Sequence, residues 1–340
     1  MRTALRPPDW MRTYGWLACA LVLAALCRFW DLTGPSLWLD EGWVFHISEH
    51  APHDILRLVA NTDFHPPLFY LAAHSLMALH LPQWDYRYFT SAFSLLGIAA
   101  TWSIGRRYFG PVAGAIAAIA LAVEPAVVQF DRLFRSYAIL VALSILSWWL
   151  IMQALDAQTP RRRRWWWIAY VACAVLLPYV HYVGAFILAG QAAYALFAWR
   201  QRWPVLAGIA AAALSFIPWL GALRTQYPHG GLVGDIHAAG FSWFAIVRPV
   251  VMEGVPLSWL MHPAFDIIVS IVVLGVLIAG MVIGRHSILP FWLAPIALHV
   301  IASLLTGKDL VVPRYLFVYV PAICVAFGAA VSSLARGKLR

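Results

Sequence analysis

The sequence predicts an all-α, polytopic membrane protein that forms a single domain over residues 1–340. Apolar residues make up 62% of the chain, well above the roughly 45–50% of soluble domains. Charged residues make up only 11%, well below the roughly 25% of soluble domains. The apolar residues gather in long stretches, and the basic residues fall in the short breaks between them. A soluble fold of this composition would expose large apolar patches. These three observations exclude soluble enzymes, secreted disulfide scaffolds and disordered chains.

The apolar stretches predict about ten or eleven transmembrane helices. Crossing the hydrocarbon core takes about 20 apolar residues, and short helices use fewer. The first stretch lacks a small-residue cleavage site, so we expect it to be a retained anchor. The candidate stretches are 14–30, 66–81, 88–104, 111–128, 136–155, 165–180, 183–199, 204–220, 264–284, 288–305 and 315–334.

The basic residues predict which ends of these helices face the cytoplasm. Cytoplasmic loops collect Lys and Arg, so the Arg106-Arg107 turn and the run 161–164 should lie inside. With the N-terminus also inside, both basic segments would lie outside if 66–81 and 88–104 each crossed fully. We therefore favour one net crossing there, with the other stretch re-entrant or interfacial. An exception to the positive-inside rule is the alternative.

Two segments are then predicted to be extracytoplasmic loops, residues 31–65 and residues 221–263. The first is long and acidic, and between Asp40 and Asp63 it mixes aromatic and aliphatic residues with charges. That mixture is typical of an amphipathic helix at a membrane surface. We expect 31–65 to carry the catalytic loop.

The net charge of +9 and the four cysteines do not indicate a nucleic-acid partner or a metal centre. The charge lies in short runs beside apolar stretches, as anchoring residues do, and not in one basic surface. The cysteines fall in or beside apolar stretches without metal-ligand spacing, so we interpret them as packing residues.

The acidic pair Asp40-Glu41 follows the first predicted span. Two carboxylates beside aromatic residues can supply a general base or a metal ligand, although an acidic surface turn is the simpler interpretation of the pair alone. His65 precedes two prolines, a pattern that also marks an ordinary helix start. A divalent metal held by Glu41 and His65 stays an open alternative.

Three charged residues, Asp131, Arg132 and Arg135, lie between two apolar stretches just before Tyr137. At helical spacing Arg132 and Arg135 would share one face. Charges at a membrane edge are costly, so a functional role is the first hypothesis for them. A structural ion pair between Asp131 and Arg135 explains the pattern equally well. His181 is isolated in an apolar stretch, where a hydrogen-bonded packing role is common.

Lys308 and Arg314 lie at the outer end of the last predicted span and could bind a phosphate, the arginine through two parallel hydrogen bonds. Snorkelling interfacial cations would give the same pattern. His229, Asp235 and His237 lie in the second loop without the spacing of a zinc site. In the favoured topology all these clusters face one side. Together they suit an anionic lipid head group that carries a neutral sugar.

The order of the motifs resembles that of the GT-C membrane glycosyltransferases, in the branch of the protein O-mannosyltransferases and the lipid A aminoarabinose transferase. The resemblance spans most of the chain and is strongest in residues 30–140. It rests on the segments 37–41, 65–70, 87–92, 105–110, 132–137 and 313–316.

This resemblance implies transfer of a sugar from a polyprenyl-phosphate donor on the extracytoplasmic face, with Asp40 as the catalytic base. Glu41 would assist by holding an acceptor or a metal. We expect inversion at the anomeric carbon. The candidate donor-binding residues are Arg132, Arg135, Tyr137, Lys308 and Arg314, with His65 and His181 elsewhere in the cavity.

The implied setting is the inner membrane of a bacterium, with a glycan, lipid or protein as acceptor. Many relatives carry further spans or a soluble C-terminal domain, so acceptor recognition stays open. The rival hypotheses are a transporter or flippase of lipid-linked sugars and a non-catalytic subunit of an envelope complex. A transporter should place polar residues near the bilayer midplane.

Overall fold

The computed structural model describes residues 9–197, 202–229, 274–275, 278–307, 310 and 313–336. These residues form α-helices and short 3-10 turns, with no strand among them. The predicted all-α membrane fold is confirmed. The helices are α1 Asp9–Phe29, α2 Leu39–Ser48, α3 Pro52–Thr62, α4 Leu68–Met77, α5 Arg87–Phe109, α6 Pro111–Val123, α7 Pro125–Asp131, α8 Tyr137–Asp156, α9 Pro160–Val180, α10 Gly184–Phe197, α11 Arg202–Phe216, α12 Leu220–His229, α13 Leu289–Leu293, α14 Pro295–Thr306, α15 Pro313–Leu316 and α16 Val320–Ala335.

Several of the described helices are long and apolar enough to cross a membrane. Four unbroken helical segments qualify by length and composition, and α6 with α7 makes a fifth if the 59° bend between them lies within one span. The predicted stretch 264–284 lies mostly outside the described residues, so the predicted ten or eleven spans cannot be counted on this part of the chain. The four segments are Tyr137–Asp156, Trp203–Gln226, Leu289–Thr306 and Arg314–Ala335.

Helix α4 is too short to cross the membrane. Its 10 residues extend about 15 Å at 1.5 Å per residue, half of a hydrocarbon core of about 30 Å. Helix α5 has 23 residues and extends about 34 Å. Only one of the two helices between residues 65 and 110 therefore has the length of a span, as the single net crossing requires.

Helices α5, α6 and α16 pack closely through small residues. A Cβ atom on Gly328 of α16 would lie 2.3 Å from the carbonyl oxygen of Ala113 in α6. A Cβ atom on Gly114 of α6 would lie 2.7 Å from the carbonyl oxygen of Trp102 in α5. Such contacts let helix backbones approach each other where no hydrophobic effect drives association.

Helices α8 and α9 extend the bundle on the other side of α5. Helix α8 packs against α5 and α9, and α9 packs in turn against α11. Helix α8 is buried along most of its length, including Trp148 and Ile151, which have no exposed surface. The bundle core therefore lies around α5 and α8.

The predicted helical loop after the first span consists of the two short helices α2 and α3. Helix α2 buries Phe45 and Ile47, and α3 buries Ile55 and Val59. These apolar side chains pack into the protein core, whereas Leu39, Trp43 and Leu56 of the same helices stay exposed. Of the predicted second loop, 221–229 belongs to α12, and 230–263 lies outside the described residues.

The bundle has two chemically different ends. At one end α2, the start of α5 and the turn before α8 meet through Glu41, Arg87 and Phe134; we call it the site end. At the other, which we call the basic end, Arg107 of α5 meets Asp156 of α8. The run Arg161–Arg164 starts α9 beside it, so the described arginines of the predicted inside segments gather at the basic end.

Candidate active site

The two carboxylates of the Asp40-Glu41 pair lie in opposite environments. The Glu41 side chain has no exposed surface. Its Oε1 accepts hydrogen bonds from Arg87 Nε at 2.8 Å and the backbone N–H of Phe134 at 2.8 Å. Its Oε2 accepts from Arg87 Nη2 at 2.6 Å and the backbone N–H of Trp38 at 2.9 Å. Both carboxylate oxygens are fully engaged.

Arg87 extends this contact to the loop before α2. Its Nη1 donates to the carbonyl oxygens of Leu32 and Pro35, and its Nη2 to that of Ser36, at 2.9 to 3.1 Å. The Glu41–Arg87 pair thus ties the outer segment to the start of α5. This geometry leaves Glu41 no open lone pair for an acceptor or a metal ion, and it favours a positioning role.

Asp40 has a free carboxylate. Its side chain is half-buried, and no hydrogen bond or ion pair engages its carboxylate oxygens within the described part of the chain. Its backbone carbonyl accepts a hydrogen bond from Arg135 Nη1 at 3.3 Å, and its negative charge acts on both Arg135 and His65. Asp40 is therefore an available base beside a cation.

Asp63, which the sequence interpretation did not single out, organises the neighbouring loop. Its Oδ1 accepts from the backbone N–H groups of Phe64 and His65 and from His65 Nδ1 at 2.8 Å. Its Oδ2 accepts from Trp43 Nε1 at 3.0 Å and from the Tyr70 hydroxyl. Asp63 therefore joins α2, the His-Pro-Pro turn and α4.

Asp63 sets the tautomer of His65. An ionised carboxylate only accepts hydrogen bonds, so the His65 nitrogen that contacts it, Nδ1, carries the proton. Its Nε2 is then the acceptor for Arg135 Nη2, 3.3 Å away. The imidazole is held between an acid and a cation, with both nitrogens engaged.

Both groups have shifted pKa values. Burial, followed by the positive charge of Arg135, lowers the pKa of His65 below its ordinary value of 6.5. Burial alone would raise the pKa of Asp63, but the hydrogen bonds from His65 and Tyr70 outweigh it and hold that pKa well below its usual range. His65 is therefore neutral and Asp63 ionised at neutral pH.

Arg135 is the central cation of the site. It is 4% exposed, and no carboxylate lies within ion-pair distance of it among the described residues. Burial would lower its pKa, but Tyr70, Tyr137 and the carboxylate of Asp40 outweigh burial and raise it. Its Nε finds no hydrogen-bond partner in the part of the chain that the structure describes. The site therefore holds a permanent, incompletely bonded positive charge.

A row of rings links Arg135 to the last helices. The ring of His181 lies 5.3 Å from that of His65 and 5.3 Å from that of Tyr315. Arg314 lies 5.7 Å from the ring centre of Tyr315. The structure therefore brings His65, His181 and Arg314, predicted from three distant segments, into one cluster.

His181 and Tyr137 complete this row. His181 Nδ1 accepts from the backbone N–H of Val183 at 3.2 Å, so its proton lies on Nε2. That Nε2 is buried and has no partner among the described residues. The ring of Tyr137 lies 6.1 Å from that of His181 and 5.9 Å from the guanidinium carbon of Arg135.

Arg132 lies apart from Arg135. It donates to the carbonyl oxygens of Cys27 and Asp31 at 3.1 and 2.9 Å, at the end of α1. The expectation that Arg132 and Arg135 share a helix face is wrong, because residues 132–136 form a turn between α7 and α8. Arg132 caps a helix, since its cation neutralises carbonyl groups that lack intrahelical partners.

The alternative considered for Asp131, a structural pair with Arg135, is not formed. Asp131 Oδ2 accepts from Arg28 Nε at 2.9 Å, and both side chains are buried. Arg28 also donates to the carbonyl oxygens of Ala122 and Leu121. This arginine, which the sequence interpretation missed, joins α1 to the bend between α6 and α7.

Other predicted residues cannot be placed. Lys308, Asp235, His237 and the side chain of His229 lie outside the described residues. In the described part of the chain, no group of three or more His, Cys, Asp or Glu side chains could hold a metal ion.

Gln226 of α12 was also missed. Its Nε2 donates to the carbonyl oxygens of Val59 and His65 at 2.8 and 3.2 Å. Gln226 therefore connects α12 to α3 and to the turn that contains His65. No sequence signal pointed to it, whereas Asp63 could have been found. An aspartate that accepts from the backbone two residues on is a recurrent turn motif, and Asp63 stands two residues before His65.

Comparison with known proteins finds similarity to membrane glycosyltransferases. The family model of the dolichyl-phosphate-mannose-protein mannosyltransferases matches residues 64–221. This range runs from the His65 turn to the start of α12 and covers slightly under half of the chain. No curated protein matches the sequence significantly.

Solved structures match nearly the whole chain. ArnT from Cupriavidus metallidurans bound to undecaprenyl phosphate matches with a TM-score of 0.63 and 19% identity, over 95% of this chain and 60% of that one. The Archaeoglobus fulgidus oligosaccharyltransferase matches with a TM-score of 0.61 and 14% identity, over 97% of this chain and 52% of that one. The chain thus spans little more than half the length of these proteins. Both structures show that the chain has the fold that its motifs predicted, the GT-C fold.

Proposed function

We propose that the protein transfers a sugar from a polyprenyl-phosphate-linked donor to an acceptor on the extracytoplasmic face of a bacterial inner membrane. The observation that carries the proposal is the carboxylate of Asp40, which no described residue engages, beside the buried cation Arg135. One matching structure holds undecaprenyl phosphate, and another matching structure holds a dolichol-phosphate. Both bound molecules are lipid phosphates, the leaving group that the proposed reaction would release.

The proposed reaction is a direct displacement at the anomeric carbon. An acceptor hydroxyl or amine gives its proton to Asp40 as its oxygen or nitrogen bonds to that carbon. The bond between the carbon and the phosphate oxygen breaks, and the electron pair leaves with the polyprenyl phosphate. Attack from the side opposite the leaving group inverts the anomeric centre.

Arg135 is the proposed stabiliser of the leaving phosphate. Its incompletely bonded guanidinium is already in place before the charge develops, so little reorganisation is needed during the reaction. Arg314 reaches the same cluster through Tyr315 and is the proposed second cation. Lys308 stays a candidate, with its position outside the described residues.

The two histidines are proposed to orient the donor. The Nε2–H of His181 is a buried donor without a partner, and a phosphate oxygen or a sugar hydroxyl would satisfy it. Neutral His65 lies between that donor and Arg135. Because it is uncharged, His65 can pack beside the phosphate and leave the ionic contact to Arg135.

An apolar cavity suits the prenyl chain. It has a volume of about 430 Å³ and lies between α9, α10 and α11, with Ala185, Ala189 and Ala212 among its lining residues. Tyr182 also lines it, and its hydroxyl donates to Gln226, which contacts His65. Two successive hydrogen bonds therefore connect the lining of the cavity to His65, beside the proposed phosphate site.

The proposal is tested with Asp40→Asn, assayed in membranes for transfer from a polyprenyl-phosphate sugar. Because general base catalysis contributes about 100-fold to 10,000-fold, we expect a loss of at least about 100-fold. Asp54→Asn, in an exposed carboxylate of α3, is the matched control and should keep wild-type activity. Wild-type turnover by Asp40→Asn would refute the role of Asp40. Absence of transfer by the wild type with every lipid-linked sugar tried, together with lipid-linked sugar movement across the bilayer, would favour the flippase hypothesis.

A further inference from the structure

The basic end of the bundle contains a second cavity, which the proposed reaction does not use. Its volume is about 670 Å³. It is lined by side chains from α5, α8, α10, α13 and the turn at 285–287. Helix α5 carries Arg87 at the site end and Arg107 in this lining, about 30 Å apart at 1.5 Å per residue. The cavity is therefore separate from the Asp40 cluster.

The cavity has an excess of positive charge. Arg107 is neutralised by Asp156, with Nε to Oδ2 at 2.6 Å and Nη2 to Oδ1 at 2.8 Å. Arg285 has no carboxylate within ion-pair distance among the described residues. Its Nε donates to His286 at 3.1 Å and its Nη1 contacts the carbonyl oxygen of Val282 at 3.5 Å. Most of its hydrogen-bonding capacity therefore points to no protein acceptor.

The opposite part of the lining is aromatic and open to the surroundings. Tyr194, Phe197 and Phe291 line it, and Phe197 is 72% exposed. An arginine with spare donors on one side and exposed rings on the other suits an amphipathic anion. A soluble anion would leave the aromatic side uncovered.

We propose that this cavity binds the head group of an acidic phospholipid in the leaflet at the basic end. Its phosphate accepts from Arg285, whose planar fork matches two phosphate oxygens, and its acyl chains cover Phe197 and Phe291. Basic pockets between transmembrane helices are known sites for anionic head groups. The volume also falls within the roughly 300–1,000 Å³ of small-molecule sites.

The test uses the purified full chain in uncharged detergent micelles and measures the thermal unfolding midpoint. The probes are phosphatidylglycerol, phosphatidylcholine and inorganic phosphate, each titrated separately. We expect a saturable rise with phosphatidylglycerol only. Arg285→Gln should weaken the apparent affinity about tenfold, as expected for a lost charge-assisted hydrogen bond. The exposed Arg164→Gln, at the same end, is the matched control and should leave it unchanged.

Each result decides between a site and a diffuse surface. Arg285→Lys keeps the charge and removes the fork, so an intermediate affinity supports two-oxygen binding. If Arg285→Gln and Arg164→Gln weaken the apparent affinity for phosphatidylglycerol equally, the lipid responds to surface charge alone. That result would overturn the proposal. So would a phosphate response equal to that of phosphatidylglycerol, or the absence of a saturable lipid response. Wild-type and variant midpoints without lipid report separately whether Arg285→Gln folds.

Discussion

Adjacent residues of like chemistry take different roles in this protein because burial separates them. Glu41 lies on the inner face of α2, fully engaged by Arg87 and two backbone N–H groups. Asp40, one residue earlier and rotated by about 100° around the helix, keeps a free carboxylate. The functional distinction within the pair thus follows from which side of α2 faces the core.

Removing the Glu41 charge should destabilise the fold. Glu41→Gln leaves Arg87 buried without its counter-charge, which costs about 3–5 kcal/mol in buried pairs. We expect a marked drop in the thermal midpoint of the purified protein. Asp156→Asn breaks the exposed pair with Arg107 and should cost at most about 1 kcal/mol. Equal effects of the two changes would contradict the anchoring role of Glu41.

The shifted pKa of His65 predicts that acid weakens the fold. The unfolded imidazole takes up a proton near pH 6.5, whereas burial and Arg135 keep the folded one neutral to lower pH. The unfolded state then binds more protons, so stability falls as pH drops below about 6.5. Asp63 contributes in a lower window, because its depressed pKa gives stability that is lost only below its ordinary value of 3.8.

The measurement is the thermal midpoint of the purified protein between about pH 7.5 and about pH 5.5, a window set by histidine titration. His65→Gln should reduce this dependence, and part of it should remain because burial also lowers the pKa of His181. His53→Gln, at a histidine whose side chain is 87% exposed, should leave it as in the wild type. A wild-type slope in His65→Gln would show that another group causes the acid sensitivity.

At the scale of elements, helix ends and breaks position the site. Helix α4 stops after 10 residues and α6 bends by 59° into α7. These short helices place Tyr70 and the 132–136 turn beside α2, where uninterrupted spans would carry the chain past it. Arg28 and Arg132 satisfy carbonyl groups at two of the resulting helix ends.

The close packing of α16 on α6 should not tolerate a single methyl group. In Gly328→Ala the new Cβ would lie 2.3 Å from the Ala113 carbonyl oxygen, so the helices must separate. Overpacking of this kind costs about 1–3 kcal/mol. Gly15→Ala adds the same methyl group to α1 where nothing lies within 4 Å, and it should be neutral or slightly stabilising. Thermal midpoints of the two variants measure the difference; similar values would contradict the packing argument.

At the scale of the whole molecule, composition and charge predicted the fold class, and the outer polar motifs predicted most of the cluster. The expected cluster contains His65, Arg135, His181 and Arg314. These polar groups meet because polar side chains in a membrane protein are costly in contact with lipid and therefore face the bundle interior. Contacts over long sequence separations could not be predicted. The partners of Asp131 and of Gln226 are 103 and 161–167 residues away along the chain, and no local pattern carries that information.

The separation of the two ends predicts the sidedness of the protein. Single cysteines at positions 53 and 164, in a chain whose four native cysteines are replaced by alanine, report the site end and the basic end. An impermeant maleimide should label position 53 in intact cells and position 164 only after permeabilisation. Labelling of position 164 in intact cells would reverse the proposed orientation.

The buried Arg28–Asp131 contact constrains how the chain is assembled during synthesis. Arg28 enters the membrane with the first helix, and its carboxylate partner is 103 residues further along the chain. At about 5–20 residues per second, Arg28 waits roughly 5–20 s before Asp131 leaves the ribosome. During that interval the Arg28 cation must be stabilised by water or by another protein. The first helix can therefore take its final position only after the α6–α7 bend has formed.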